Sequence, residues 1–165
     1  MKKIILIILF FLSHNLYSQD EKEIEREFYL IYKEYCKKIN HKIQYGECFD
    51  TVVTIHLNYL TKFENDSLTH YQHDVPKYRT VGDRIFSLYE VHRGDYSEIA
   101  IIGKFNGNYS VREKAELLFN SFMKSKGHRR HMTNRTFKYF SFKLKYKPNG
   151  VLVGVGVFSE MWGNE

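Results

Sequence analysis

The 165-residue chain has only two prolines, two cysteines and one tryptophan. It contains no Gly-rich phosphate loop, no G-x-S-x-G elbow, no H-E-x-x-H and no paired C-x-x-C, so no short motif assigns it a chemistry. Internal repeats, low-complexity tracts and linkers are also missing, which leaves one domain. Two cysteines are too few for a disulfide scaffold, and a chain of this length buries an ordinary core without cross-links. The apolar run at residues 4–12 is about half of what spans a bilayer, which excludes a membrane anchor there.

That run follows Lys2 and Lys3 and precedes Leu16-Tyr17-Ser18, the basic, apolar, small-residue order of a secretory signal peptide. Residues 1–18 are read as that leader, with cleavage after Ser18. No cysteine lies close behind it to carry a lipid. The chain is expected to be exported, secreted or periplasmic, with no stable membrane insertion after cleavage. Of 25 basic and 19 acidic residues, loss of Lys2 and Lys3 leaves 23 against 19, a net charge of +4. Lys143, Lys145 and Lys147 alternate on one face of an expected strand, and Arg129–Arg130 follow a helix. These charges suit solvent or an anionic envelope polymer, and nucleic acid is not expected. In an oxidising compartment Cys36 and Cys48 either remain thiols or close a short loop, which adds about 3 kcal/mol in the chain-entropy model.

Periodicity supplies the elements. Acidic residues from Asp20 to Glu27, Lys37 and Lys38 at the far end, and a stripe of Ile24, Phe28, Ile31, Tyr35 and Ile39 predict a helix over residues 20–39. Asp50 is read as the N-cap of a second helix to about Phe63, with Val53, His56, Leu57 and Leu60 inward and His56 a packed core histidine. Polar residues 64–67 form a turn, and a loop carries His70, His73 and Pro76. Thr80 and Asp83 begin a short helix to about Tyr89, and residues 92–96 turn again. Residues 98–102 read as a buried strand with Glu98 at its start. Ser110 and Glu113 form a capping box for an amphipathic helix striped by Val111, Ala115, Leu118 and Phe122. Gly127 is expected to close that helix, leaving His128 just past its end.

Phe140, Phe142, Leu144 and Tyr146 then alternate with polar residues, and Pro148-Asn149-Gly150 turns into the apolar Val-Leu-Val-Gly-Val-Gly-Val-Phe of residues 151–158. Gly154 and Gly156 share one face, which predicts a ring or helix lying close against it. A few strands with helices on both sides bury every stripe, giving the expected fold: α/β, a three-layer α/β/α sandwich around a small, largely antiparallel sheet.

The residues able to do chemistry are dispersed: His70 in a loop, Glu98 at a strand start, Ser125 and His128 at a helix end. The segment Phe122-Met123-Lys124-Ser125-Lys126-Gly127-His128-Arg129 resembles the W-x-x-S-x-G-H-R motif of the CAP superfamily (cysteine-rich secretory, antigen 5 and pathogenesis-related proteins) and its bacterial SCP-like extracellular members. Leu68-Thr69-His70 resembles the family's L-x-H, Ser97-Glu98-Ile99 falls at its G-E-N, and residues 151–158 resemble its closing strands. The resemblance implies a CAP domain over residues 24–160. Phe122 replaces the tryptophan, Ile99 and His131 replace asparagines, and Ser125 stands where many members carry a second glutamate.

The resemblance implies a central cleft with His70 and His128 as a divalent-metal pair and Glu98 beside them. Two neutral imidazoles and a carboxylate suit Zn2+ and leave a position for water. Glu98 and the helix end are expected to favour imidazolium, so zinc affinity should fall at about pH 6 and below. His131 either lines the cleft or points to solvent. Three functions follow. The first is a non-enzymatic binding module whose cleft, lined by His70, Glu98, Ser125, His128 and His131, takes a metal or a small, peptide or glycan ligand. The second is a metal-assisted hydrolase of peptidase or esterase type, with His70 and His128 as ligands and Glu98 as general base, or with Ser125 as a nucleophile beside His128. The third is a basic surface on envelope polymer.

Overall fold

A four-stranded sheet lies between two helical layers in the computed structural model, which describes residues 2–63, 67–90 and 94–161, with side chains from residue 19 onward. The strands are β1 (Gln44–Tyr45), β2 (Tyr96–Gly103), β3 (Tyr139–Tyr146) and β4 (Leu152–Ser159), in spatial order β1-β3-β4-β2. β4 is antiparallel to both β2 and β3, and β1 alone runs parallel to its neighbour β3. One face carries α1 (Lys2–Lys38) and α4 (Val111–Lys124), and the other carries α2 (Asp50–Leu60) and α3 (Val81–Tyr89). The expected three-layer sandwich is the observed architecture.

Strand alternation divides the core in two. Ile99, Phe140, Phe142, Leu144 and Phe158 meet Phe28, Tyr32 and Phe122 on the α1/α4 face. Ala100, Val153, Val155 and Val157 meet Val53, Leu57 and Ile85 on the α2/α3 face. Gly154 and Gly156 lie under the first set. A Cβ at Gly156 would come within 2.8 Å of a Phe140 ring carbon, and one at Gly154 within 3.0 Å of Phe142 and 2.8 Å of Leu144. Aromatic rings laid across β4 are the reason these two positions carry no side chain.

Several expectations change. α1 is continuous through the expected cleavage point after Ser18, and it ends where Asn40 turns left-handed and the His41 N–H reaches the Cys36 carbonyl at 2.8 Å. Asp50 opens α2 from within its first turn and is not its cap. Its carboxylate instead accepts from Tyr45 (2.7 Å) and Ser141 (2.5 Å). The two cysteines are not bridged to each other, because the sheet separates them: Cys36 lies in the α1/α4 core and Cys48 packs against the α2/α3 core. The face of Lys143, Lys145 and Lys147 is not a free basic surface. Lys143 pairs with Asp50 at 2.8 Å, Lys145 donates to Asn58 at 2.7 Å, and the buried Lys147 donates to the Phe63 carbonyl at 3.0 Å. Of the two expected turns, residues 64–66 and 91–93 lie outside the described residues. Among the described residues no helix is long and apolar enough to cross a membrane.

α1 is tied to β3 by side chains as well as by rings. The Glu25 carboxylate accepts the Leu144 N–H at 2.7 Å, and Glu21 accepts the Tyr146 N–H at 2.7 Å. Burial pushes the Glu25 carboxyl up to about 7, against the lowering effects of the Leu144 N–H and of Lys143. The folded chain therefore holds a proton that the unfolded chain releases near the ordinary value of 4.5, so this group's contribution falls as pH rises between about 4.5 and 7. The Tm of the wild type minus that of Glu25→Gln should be a few degrees more positive at pH 5 than at pH 8. Every other group is common to the two proteins and cancels in the difference. Thermal scans giving the same difference at both pH values would exclude the effect.

Candidate functional site

Glu98 is the second inward-facing residue of β2, an end strand of the sheet, and its side chain is only 3% exposed. Three elements converge on it. Thr80 and Asp83 form a capping box at the start of α3, with the Thr80 N–H donating to Asp83 at 2.8 Å and the Asp83 N–H donating to Thr80 at 3.1 Å. This fixes the first turn that carries Arg84. Arg84 is fully buried and pairs with Glu98 through Nη2, while Nη1 donates to the Tyr78 carbonyl at 3.1 Å. From α2, His56 brings Nδ1 to 2.8 Å from Glu98 Oε1, off the axis of a well-aligned hydrogen bond. From the loop, His70 Nδ1 lies 3.1 Å from the same oxygen.

Burial alone would raise the Glu98 carboxyl. Contacts from His56 and His70 and the charge of Arg84 outweigh it and hold the group at about 2. Desolvation lowers the Arg84 pKa while Glu98 opposes it. His56 Nε2 and Arg84 Nε are buried with no hydrogen-bond partner among the described residues.

The segment at the end of α4 differs from the expectation. Ser110 and Glu113 do form the capping box that starts α4. At the other end Gly127 does not close the helix. Ser125 adopts an extended conformation and caps a further helix, α5 (Lys126–Met132), with its hydroxyl 3.5 Å from the His128 N–H. Gly127 is helical within α5, and His128 sits in that helix's first turn, its ring edge-on to Phe122 at 5.2 Å between centroids. Phe122 itself is fully buried against Phe28 and Phe142, so a phenylalanine ring fills the position where the resembled motif has tryptophan.

His131, one turn on, does not point to solvent: its Nδ1 lies 2.7 Å from the Ser97 hydroxyl. Ser97 and Glu98 point to opposite faces of β2, so α5 and the His70 loop meet around this end strand. Burial lowers the His128 pKa, and the neighbouring charges of His70 and His131 lower it further. Burial, Arg130 and His70 do the same to His131. At His128 burial, ahead of the neighbouring charges, therefore disfavours the imidazolium that was expected there.

The structure therefore brings His70 against Glu98 and sets His128 and His131 close enough for their charges to couple to His70. It leaves Ser125 as a cap, with no acid behind His128 to complete a nucleophilic triad among the described residues. Among those residues no group of three or more His, Cys, Asp or Glu side chains is arranged to hold a metal ion. With Arg84 already balancing Glu98, the donor set as it stands does not fit a zinc centre. Sequence reasoning missed Arg84 and the part played by His56. The one available signal was a histidine on the apolar stripe of a helix.

No family model matches the chain, and no curated protein matches it. Among solved structures it is similar to an outer surface protein from Borrelia burgdorferi, with a TM-score of 0.63 at 16% identity, covering 82% of this chain and 93% of that one. At that identity the likeness carries the fold alone.

Proposed function

We propose that this protein is an exported CAP-type binding module, and that its cleft, lined by His70, His128 and His131, takes a small, peptide or glycan ligand without turning it over. The observation that carries this reading is the state of Glu98. A carboxylate already held by Arg84, His56 and His70, with its pKa at about 2, is a poor general base at neutral pH. His128 and His131, with depressed pKa values, stay neutral at that pH and offer both donor and acceptor nitrogens. The ordered resemblance of Leu68-Thr69-His70, Glu98 and Ser125 to Arg129 supports the family, and the leader-like residues 1–18 support export. The name of the similar spirochaete protein, an outer surface protein, agrees with an exported chain.

The purified protein should leave peptide, ester and glycan substrates uncleaved, with or without added zinc. Glycan and peptide fragment sets should instead shift the imidazole resonances of His128 and His131. Hydrolysis that disappears in Glu98→Gln would establish the metal-assisted hydrolase in place of the module. Fragments that bind while leaving all three rings unmoved would remove the cleft from the reading.

A further inference from the structure

Lys33, Lys37, Lys42, Arg135 and Lys138 gather around two adjoining grooves at the β1 end of the sheet, opposite β2 and the Glu98 site. The grooves have volumes of about 570 Å³ and about 410 Å³ and share Asn40, His41, Lys42 and Gln44 as a common wall. That wall is rigid. The left-handed Asn40 closes α1, His41 is buried with Nε2 at 2.7 Å from the Phe137 carbonyl, and Arg135 donates to the Ile39 carbonyl at 2.7 Å.

Several cations elsewhere have anionic partners: Arg84 with Glu98, Lys114 with Asp20, Lys143 with Asp50 and Arg112 with Glu116. Around the grooves Lys33, Lys37, Lys42 and Lys138 are exposed and none makes an ion pair among the described residues. Glu34 is the one acid among the lining residues. Five cations against one acid thus line one shaped surface.

We propose that this basic groove binds an acidic glycan, a chain of sugars bearing carboxylates. Lysine ammoniums are hydrated point charges on flexible stems, able to follow anionic groups spaced along a polymer without the fixed bidentate geometry of a guanidinium. The one guanidinium, on Arg135, already donates to the Ile39 carbonyl. Between the cations, the Asn40 and Gln44 amides provide donors and acceptors for hydroxyls. Leu30, 41% exposed, offers apolar surface to a sugar face. A single-stranded nucleic acid needs successive aromatic platforms, and the lining supplies one ring, the half-buried Tyr139.

The test is calorimetric titration of the purified protein with oligogalacturonate. Lys37→Gln/Lys42→Gln/Lys138→Gln should weaken binding about tenfold and flatten its salt dependence. Lys104→Gln/Lys124→Gln/Lys126→Gln, which removes the same charge from other exposed positions, should change it by less than about twofold. Equal losses in both variants would reduce the effect to net charge and overturn the site. Inorganic polyphosphate of matched charge binding more tightly than the uronate would overturn the glycan assignment, as would no uronate binding at low salt. His128→Ala should leave uronate binding intact, so failure here and failure of the cleft are separable.

Discussion

Replacing Glu98 with leucine is expected to lower the unfolding free energy by about 3–5 kcal/mol. The cost comes from Arg84, which is fully buried and cannot shed its proton. Without Glu98 its guanidinium keeps only the Tyr78 carbonyl among the described residues. Arg84→Met should cost less, because the remaining carboxylate still has His56 and His70 and can also take up a proton. The double substitution should then recover part of the loss, the sign of a pair coupled in a double-mutant cycle. Additive losses in urea unfolding would mean that the two side chains act independently. The same geometry fixes a pH window. Because the folded carboxyl lies near 2, against an ordinary value of 4.5, its stabilisation is complete above about pH 4.5 and is lost as pH falls from there towards 2.

Phe28→Ala should cost a similar amount, about 3–5 kcal/mol. The ring is fully buried and stacks on Phe142 at 4.2 Å between centroids. It also meets Phe122 and Phe119 edge-on at 5.8 and 6.2 Å. Phe142 in turn lies over Gly154, so neighbouring rings cannot move inward without meeting β4. The cavity should stay open, which places the loss high in the usual range for an aromatic truncation. Phe28→Leu should recover about half of it. Chemical denaturation showing less than about 1 kcal/mol for the alanine variant would mean that the site collapses around the gap.

Periodicity and capping made much of this fold legible. The alternation of Phe140, Phe142 and Leu144 located β3, and the Ser110–Glu113 and Thr80–Asp83 pairs located two helix starts, because each is a local signal. What failed was decided by partners distant in sequence or by a competing local cap. Gly127 has the intrinsic character of a stop, yet Ser125 caps a new helix ahead of it, and so His128 begins a helix where it was expected to follow one. The two residues of β1 are too few to show a period. Nothing local marks Arg84 as the partner of Glu98 until β2 brings the two together, and the lysines of β3 read as solvated until α2 covers them. His70 and Glu98 were paired through family resemblance alone. No spacing rule links a loop histidine to a strand glutamate 28 residues later.

The carboxylates that α1 extends to β3 bear on whether the edge of the sheet stays closed to other chains. β1 accompanies only the first two residues of β3, so the Leu144 and Tyr146 N–H groups lie beyond it and face no strand among the described residues. Bare donors of this kind are a template on which a second chain can zip. Glu25 and Glu21 occupy them, and Asp20 holds the same end through Lys114 and the Tyr146 hydroxyl. A chain beginning at residue 19 would keep all three acids, whereas one beginning several residues further on would lose the guard from the sheet. The acids at the start of this stretch of α1 thereby help decide whether the molecule stays solitary.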